Sequence, residues 1–174
     1  MSDHFKDVLQ ANQEFARSYT DPHLAGQAAR NLAVVTCMDS RIDPLSMLGL
    51  GKGDAKILRN AGARVTDDVL RTLVLAVYLL GVSRVMIVAH TDCRMAKQSE
   101  AQLHASVLAE SGLDTRSIDF GAVEDQQAVL ARDVQRIRSW PYLPPGLPVI
   151  GCRHDLSTGV IDVLVGEDVA IPEA

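Results

Sequence analysis

Two apolar, β-branched runs constrain this chain most: Leu32-Ala33-Val34-Val35 and Val85-Met86-Ile87-Val88 each stop within two residues of a side chain that binds metals. The first leads into Cys37-Met38-Asp39-Ser40-Arg41, the second into His90-Thr91-Asp92-Cys93. Runs of this kind read as buried strands. Open α/β sheets carry their chemistry at the carboxyl ends of strands, so two such ends on neighbouring strands can converge on one ion despite their separation in sequence. Cys37, His90 and Cys93 would then supply two thiolates and one imidazole, a set that leaves the fourth tetrahedral position of a zinc ion free for water or substrate. Taken singly, each half is weak. A His-x-x-Cys arises by chance, and a buried Cys is more often an inert small hydrophobe than a ligand.

The residues beside the first Cys sharpen the case. In an extended backbone Cys37, Asp39 and Arg41 point to the same side, which sets a carboxylate and a guanidinium close to the candidate metal. Arg pairs bidentately with a carboxylate and would hold Asp39 ionised in one orientation. The plainer reading is a surface ion pair of negligible energy; proximity to a metal thiolate favours the functional one. Asp92 either orients a ligand or caps the following helix. His4, His23, His104 and His154 are expected to be surface or structural histidines, and Cys152 to fill core space.

Together these residues resemble the β-class carbonic anhydrases of the short bacterial type. The likeness runs through the C-x-D-S-R stretch at 37–41, Arg59-Asn60-Ala61-Gly62, Val65-Thr66-Asp67-Asp68, the H-x-D-C stretch at 90–93, and Asp155-Leu156-Ser157-Thr158-Gly159. The resemblance implies that Cys37, His90 and Cys93 bind Zn2+, that Asp39 and Arg41 form the catalytic dyad, and that the reaction is reversible hydration of carbon dioxide to bicarbonate. It also implies an N-terminal helix packed across a partner subunit in a homodimer or dimer of dimers. Two other functions are compatible with the same motifs: hydrolysis of carbonyl sulfide or carbon disulfide, and a catalytically silent zinc-binding homologue. One position departs from the family pattern, Arg94, where a Gly usually follows the second zinc Cys. An unpaired guanidinium buried beside a cation is costly, so Arg94 is expected on the loop surface or at a subunit interface.

Composition sets the outer bounds. The 174 residues suffice for one domain with a single core, and 47% hydrophobic with 22% charged residues predicts an ordinary globular chain. A net charge of −5 argues against nucleic acid as a partner. Arg132, Arg136 and Arg138 are expected to form a solvated face or an oligomer contact. Three cysteines, two of them assigned to the metal, suit a reducing cytosol better than a disulfide framework. No secretory signal is recognisable, and the apolar stretch around Leu73 to Leu80 falls short of a membrane span. A cytoplasmic protein is expected, without membrane association.

Along the chain, residues 4–19 carry apolar side chains at helical spacing and form a helical arm within residues 1–20 of a single 1–174 domain. A short helix is expected at 42–48, a strand at 55–58, and a helix from 68 to 80 capped by Thr66 or Asp67. A strand at 84–89, helices at 99–111 and 123–138, and strands at 147–152 and 160–165 complete the order. The proline-rich link Trp140 to Gly146 reads as a rigid surface connection in preference to a binding lip. Alternating strands and helices imply an α/β fold with a mostly parallel sheet and right-handed crossovers, the last strand antiparallel because its connection is short.

Overall fold

The computed structural model describes residues 3–166, so residues 1 and 2 of the expected arm and 167–174 of the expected domain lie outside the described residues. Five strands form one sheet: β1 (Leu32–Cys37), β2 (Ala55–Asn60), β3 (Arg84–His90), β4 (Val149–His154) and β5 (Ile161–Val165). Their order is β2-β1-β3-β4-β5, parallel throughout except that β5 runs antiparallel to β4. The helices are α1 (Lys6–Arg17), α2 (Asp67–Leu79), α3 (Glu100–Ser111) and α4 (Gln126–Arg138). The chain is therefore a single-domain α/β structure, as the alternation of runs implies. Among the described residues no helix is long and apolar enough to cross a membrane.

Period-2 alternation within each strand divides the core. Ala33, Val35, Val85, Ile87 and Val149 face α2 and α4, where Leu70, Leu73, Val134 and Ile137 complete a fully buried layer. Each Val, Leu or Ile side chain among them contributes roughly 1.5–3 kcal/mol by leaving water. Val34, Val88 and Cys152 face the other side and meet Met47, Leu48 and Ile161. Cys152 is wholly buried there, and burial pushes its thiol up to about 11, which leaves it an inert filler. Gly151 lets α4 approach: a Cβ there would stand 3.2 Å from Val134 Cγ2 and 3.3 Å from Leu130 Cδ2.

Caps explain most helix boundaries. Thr66 accepts from the Val69 N–H to open α2, Ser99 and Gln102 form a reciprocal capping box at α3, and the Asp125 carboxylate receives the Ala128 N–H at α4. Two expected helices are shorter than their sequence patterns. At 42–48 only a 3₁₀ turn at Ser46–Leu48 forms, because Pro44 disfavours a helical Asp43 and the Asp43 carboxylate instead accepts the N–H groups of Leu45 and Ser46. The helix expected from 123 begins at Gln126, since Asp125 is extended and caps the helix by accepting the Ala128 N–H at 3.0 Å. The Trp140 to Gly146 link is a connection, with Trp140 packed on the core and Leu143 buried.

The solvated face expected of the α4 arginines holds only in part. Arg132 is exposed, but Arg136 donates to the Val65 carbonyl and to Asp67, and Arg138 to the Val149 carbonyl at 2.7 Å. They stitch α4 to its own chain. Arg64 adds a stronger tie: its Nε donates to Asp133 Oδ2 at 2.9 Å, and the same oxygen receives the Val65 N–H at 3.1 Å. Asp133 is only 3% exposed. By contrast α1 buries none of its residues; Val8, Leu9 and Phe15, and Phe5 just before the helix, are all exposed.

Removing the Asp133 carboxylate strands both a guanidinium and a backbone N–H in a buried setting. Asp133→Ala is expected to cost about 3 kcal/mol of unfolding free energy, read as a lower urea midpoint, whereas Arg116→Ala at an exposed ion pair leaves the midpoint unchanged.

Candidate active site

The strand order places the site. β2 and β3 flank β1 on opposite sides, so the carboxyl ends of β1 and β3 border a topological switch point. Thr36 lies level with Val88, and Cys37 and His90 therefore emerge at the same edge of the sheet. Beyond His90 the chain turns at once: Asp92 takes a left-handed backbone with φ 58°, returning Cys93 toward Cys37. One ligand atom each from Cys37, His90 and Cys93 then lie within 4.8 Å of one another, a group that could hold a metal ion. All three residues are buried, and the two sulfurs are 4.0 Å apart.

The imidazole is oriented by its neighbour. His90 Nδ1 is 2.8 Å from the Thr91 carbonyl, and because a carbonyl only accepts, Nδ1 carries the hydrogen and Nε2 presents a lone pair. That Nε2 is buried and makes no well-formed hydrogen bond within the protein. An orphaned buried acceptor is costly unless another partner fills it, and its polar neighbours are the two sulfurs and Asp39 Oδ2 at 3.9 Å. Gln126 Nε2 fixes the backbone here by donating to the His90 carbonyl at 2.9 Å.

Backbone N–H groups solvate the sulfurs. The Cys93 thiol, the His90 imidazole and the nearby N–H groups of Asp39 and Gly62 favour the Cys37 thiolate and, despite burial, draw its pKa down to about 3. Donation to Cys37 and burial push the Cys93 thiol up, against the pull of the Met95 and Ala96 N–H groups. The pair gives up one proton readily and the second with difficulty, unless a cation takes that proton's place. Burial opposes protonation of His90, and the adjacent Cys37 thiolate favours it more strongly, so the His90 pKa is raised. Gly62 has no substitute: its φ is 78°, and a Cβ would stand 3.2 Å from both Met95 Cβ and Val123 Cγ2.

Asp39 and Arg41 are joined as a fork. Arg41 Nε and Nη2 donate to Asp39 Oδ1 and Oδ2 at 2.9 and 2.7 Å, and the Arg41 N–H adds a third bond to Oδ1 at 3.0 Å. The guanidinium holds the Asp39 carboxyl well below the usual carboxylate range, so it stays ionised. Oδ2 keeps a lone pair on the side of His90. Arg59, on β2, clamps the same loop from behind by donating to the carbonyls of Cys37 and Asp39 at 2.9 and 2.6 Å.

The five residues singled out in sequence thus come together. Other expectations change. Asp92 neither orients a ligand nor caps a helix; its carboxylate binds Arg41 and Lys97, and α3 is capped by Ser99. Arg94 lies exposed in its own chain on a 3₁₀ turn, Arg94–Ala96, a placement common to the loop-surface and subunit-interface expectations, and the unusual backbone angle falls on Asp92 instead. His154 is buried on β4 directly beside His90, a structural position whose carbonyl accepts the Thr91 N–H at 3.0 Å. Gln126 is not singled out by the sequence, and Arg59 appears there only within the Arg59-Asn60-Ala61-Gly62 stretch with no role attached, because their bonds go to backbone carbonyls that any residue possesses.

Comparison with known proteins agrees with this geometry. The carbonic anhydrase family model matches residues 32–135. Beta-carbonic anhydrase 1 of Mycobacterium tuberculosis is 33% identical over 159 residues, covering 90% of this chain and 94% of its own. A carbon disulfide hydrolase of an Acidianus species is 44% identical over 154 residues, covering 74% of each chain. Among solved structures, a carbonic anhydrase from Streptococcus mutans superposes with a TM-score of 0.87 at 33% identity, covering 94% of this chain and 99% of that one. Fold, ligand spacing and likeness over most of the length converge on one conclusion: the chain belongs to the carbonic anhydrase family, in its beta class.

Proposed function

We propose that the protein is a zinc-dependent carbonic anhydrase that converts carbon dioxide and water reversibly to bicarbonate and a proton, with Cys37, His90 and Cys93 as metal ligands. The observation that carries the metal assignment is the buried, unpartnered His90 Nε2 facing two sulfurs 4.0 Å apart. Two Zn–S bonds of about 2.3 Å at a tetrahedral angle require sulfurs roughly 3.8 Å apart, so the protein holds them close to that spacing already. The donor set also suits zinc chemically, since two thiolates and an imidazole select a borderline-soft cation over calcium or magnesium. When bound, zinc supplies Lewis acidity that ionises water near neutral pH, chemistry for which carbonic anhydrase is itself the standard example.

The protein's own residues do the rest. Asp39, ionised by its fork with Arg41, can only accept a hydrogen bond. Its free lone pair on Oδ2, 3.9 Å from His90 Nε2, receives a hydrogen from the reacting water and so aims an oxygen lone pair at carbon dioxide. Arg41 acts through Asp39, keeping it charged and in one rotamer. The Arg59 bonds to the Cys37 and Asp39 carbonyls keep the ligand and the carboxylate in a constant relation. The apolar residues packed around the ligands, Ile42, Ala63, Met95, Val123 and Val129, leave bulk water little access from the protein side.

A second reading, hydrolysis of carbon disulfide, is favoured by one observation, the 44% identity to the Acidianus enzyme. Both reactions begin by adding water to a linear triatomic molecule. Carbon dioxide hydration fits better because the likeness to beta-carbonic anhydrases extends over 90% of the chain and the structural match over 94%. Stopped-flow hydration by the purified protein, run beside an assay for hydrogen sulfide released from carbon disulfide, separates them.

The assembly we infer is a homodimer or a dimer of dimers. The support is α1, whose exposed Val8, Leu9 and Phe15, with Phe5 at its N-cap, form an apolar face that is uncovered among the described residues. We further place the protein in the cytoplasm, where the free thiols of Cys37, Cys93 and Cys152 stay reduced.

Three outcomes follow. Cys93→Ser is expected to purify without stoichiometric zinc by elemental analysis; full zinc occupancy in that variant would sink the ligand assignment. Asp39→Ala is expected to retain zinc and lose roughly 100-fold or more in kcat by stopped flow, and a near-native rate would remove Asp39 from the mechanism. Deleting residues 3–20 should convert the assembly to monomer by light scattering, an expectation that a monomeric wild-type protein contradicts.

A further inference from the structure

Arg41 is shared by two carboxylates. While Nε and Nη2 hold Asp39, Nη1 donates to Asp92 Oδ2 at 2.7 Å, and Nη2 also reaches the Asp92 carbonyl at 3.3 Å. A guanidinium is a rigid plane with donors on more than one edge, so two carboxylates can grip it at once, and the second removes the rotation that the first leaves free. The need is real, because the Arg41 side chain is 48% exposed and only partly held by packing. Asp92 is itself secured. Its other oxygen meets Lys97 Nζ, and its backbone sits at φ 58°, a left-handed conformation that Asp tolerates better than most residues. The loop that carries two ligands, His90 and Cys93, therefore also carries the second anchor of the residue that orients Asp39.

We propose that Asp92 is a positioning residue for the hydration reaction: its carboxylate fixes the plane of Arg41, and through it the single orientation of Asp39. This rests on the carbonic anhydrase reading above. Lys97 is the counterweight, since by sharing the charge of Asp92 it keeps that carboxylate from drawing Arg41 away from Asp39.

The competing explanation is that Asp92 serves only the turn, as a residue that accepts a left-handed backbone. Glycine separates the two, because Asp92→Gly satisfies the turn and removes the carboxylate. Zinc-loaded wild type, Asp92→Gly, Asp92→Ala and Asp92→Asn are compared by zinc content, stopped-flow hydration and the NMR signal of the Arg41 Nε–H in protein labelled with nitrogen-15 at arginine. The expected result is unchanged zinc, a kcat about tenfold lower in both Gly and Ala variants with KM little altered, and an Arg41 signal moved toward that of a free guanidinium. Asp92→Asn, which keeps an acceptor and the backbone preference, should recover most of the loss. A Gly variant with the wild-type rate, or an Arg41 signal that the Ala and Gly variants leave in place, would overturn the proposal. If wild type hydrates no carbon dioxide, the functional reading fails, and the Arg41 signal still reports whether Asp92 anchors it.

Discussion

Two sulfurs and an imidazole nitrogen that could hold a metal ion are kept together in a dry corner of the protein, and that requirement organises everything around them. Like partial charges at short range repel, and burial raises the cost of each. The fold meets the cost with backbone dipoles: N–H groups of Asp39 and Gly62 point at the Cys37 sulfur, and those of Met95 and Ala96 at Cys93. The segments after β1 and β3 are shaped to bring those amides close to the sulfurs. Asp43 and Pro44 interrupt the first segment, and the left-handed Asp92 turns the second. The absence of Cβ at Gly62 lets a third segment close over the sulfur.

Rigidity of the site is borrowed from the sheet and from α4. Arg59 on β2 reaches across to two carbonyls of the loop after β1, Gln126 at the start of α4 holds the His90 carbonyl, and Arg64 and Asp133 lock the loop behind Gly62 onto α4. Each bond connects a side chain from one element to a neighbouring element or loop, so the loops around the site inherit the stability of the core. That core is divided by strand alternation into the layer under α2 and α4 and the opposite layer around Val34, Val88 and Cys152. The site sits where the layers end.

Charge is arranged with the same economy of motion. Asp39 is kept ionised at the mouth of a buried site by a guanidinium that is half exposed, which places the permanent charges where water and the second carboxylate of Asp92 can stabilise them. Lys97 extends the network outward. Arg94, the departure from the family pattern, stands on the surface beside this network and leaves the ligand geometry alone, because the position it occupies takes an ordinary right-handed backbone that needs no glycine.

Much of this was written in one dimension. The β-branched runs ending at Cys37 and His90, the i+3 spacing to Cys93, the Asp39-x-Arg41 step and the capping residues Thr66 and Ser99 are local patterns. Short-range sterics and hydrogen bonding determine strand, turn and cap wherever such patterns occur. The sequence by itself therefore determined the α/β alternation, the antiparallel last strand and the identity of the five central side chains. Only the tertiary structure decided which partners those side chains take. The pairing of Arg41 with Asp92, the clamps from Arg59 and Gln126, the inward stitching of Arg136 and Arg138, and the burial of His154 beside His90 all depend on which strands and loops become neighbours. Neighbourhood across a sheet is set by the summed packing of the whole core, and a backbone carbonyl that accepts a distant guanidinium leaves no mark in the residue code.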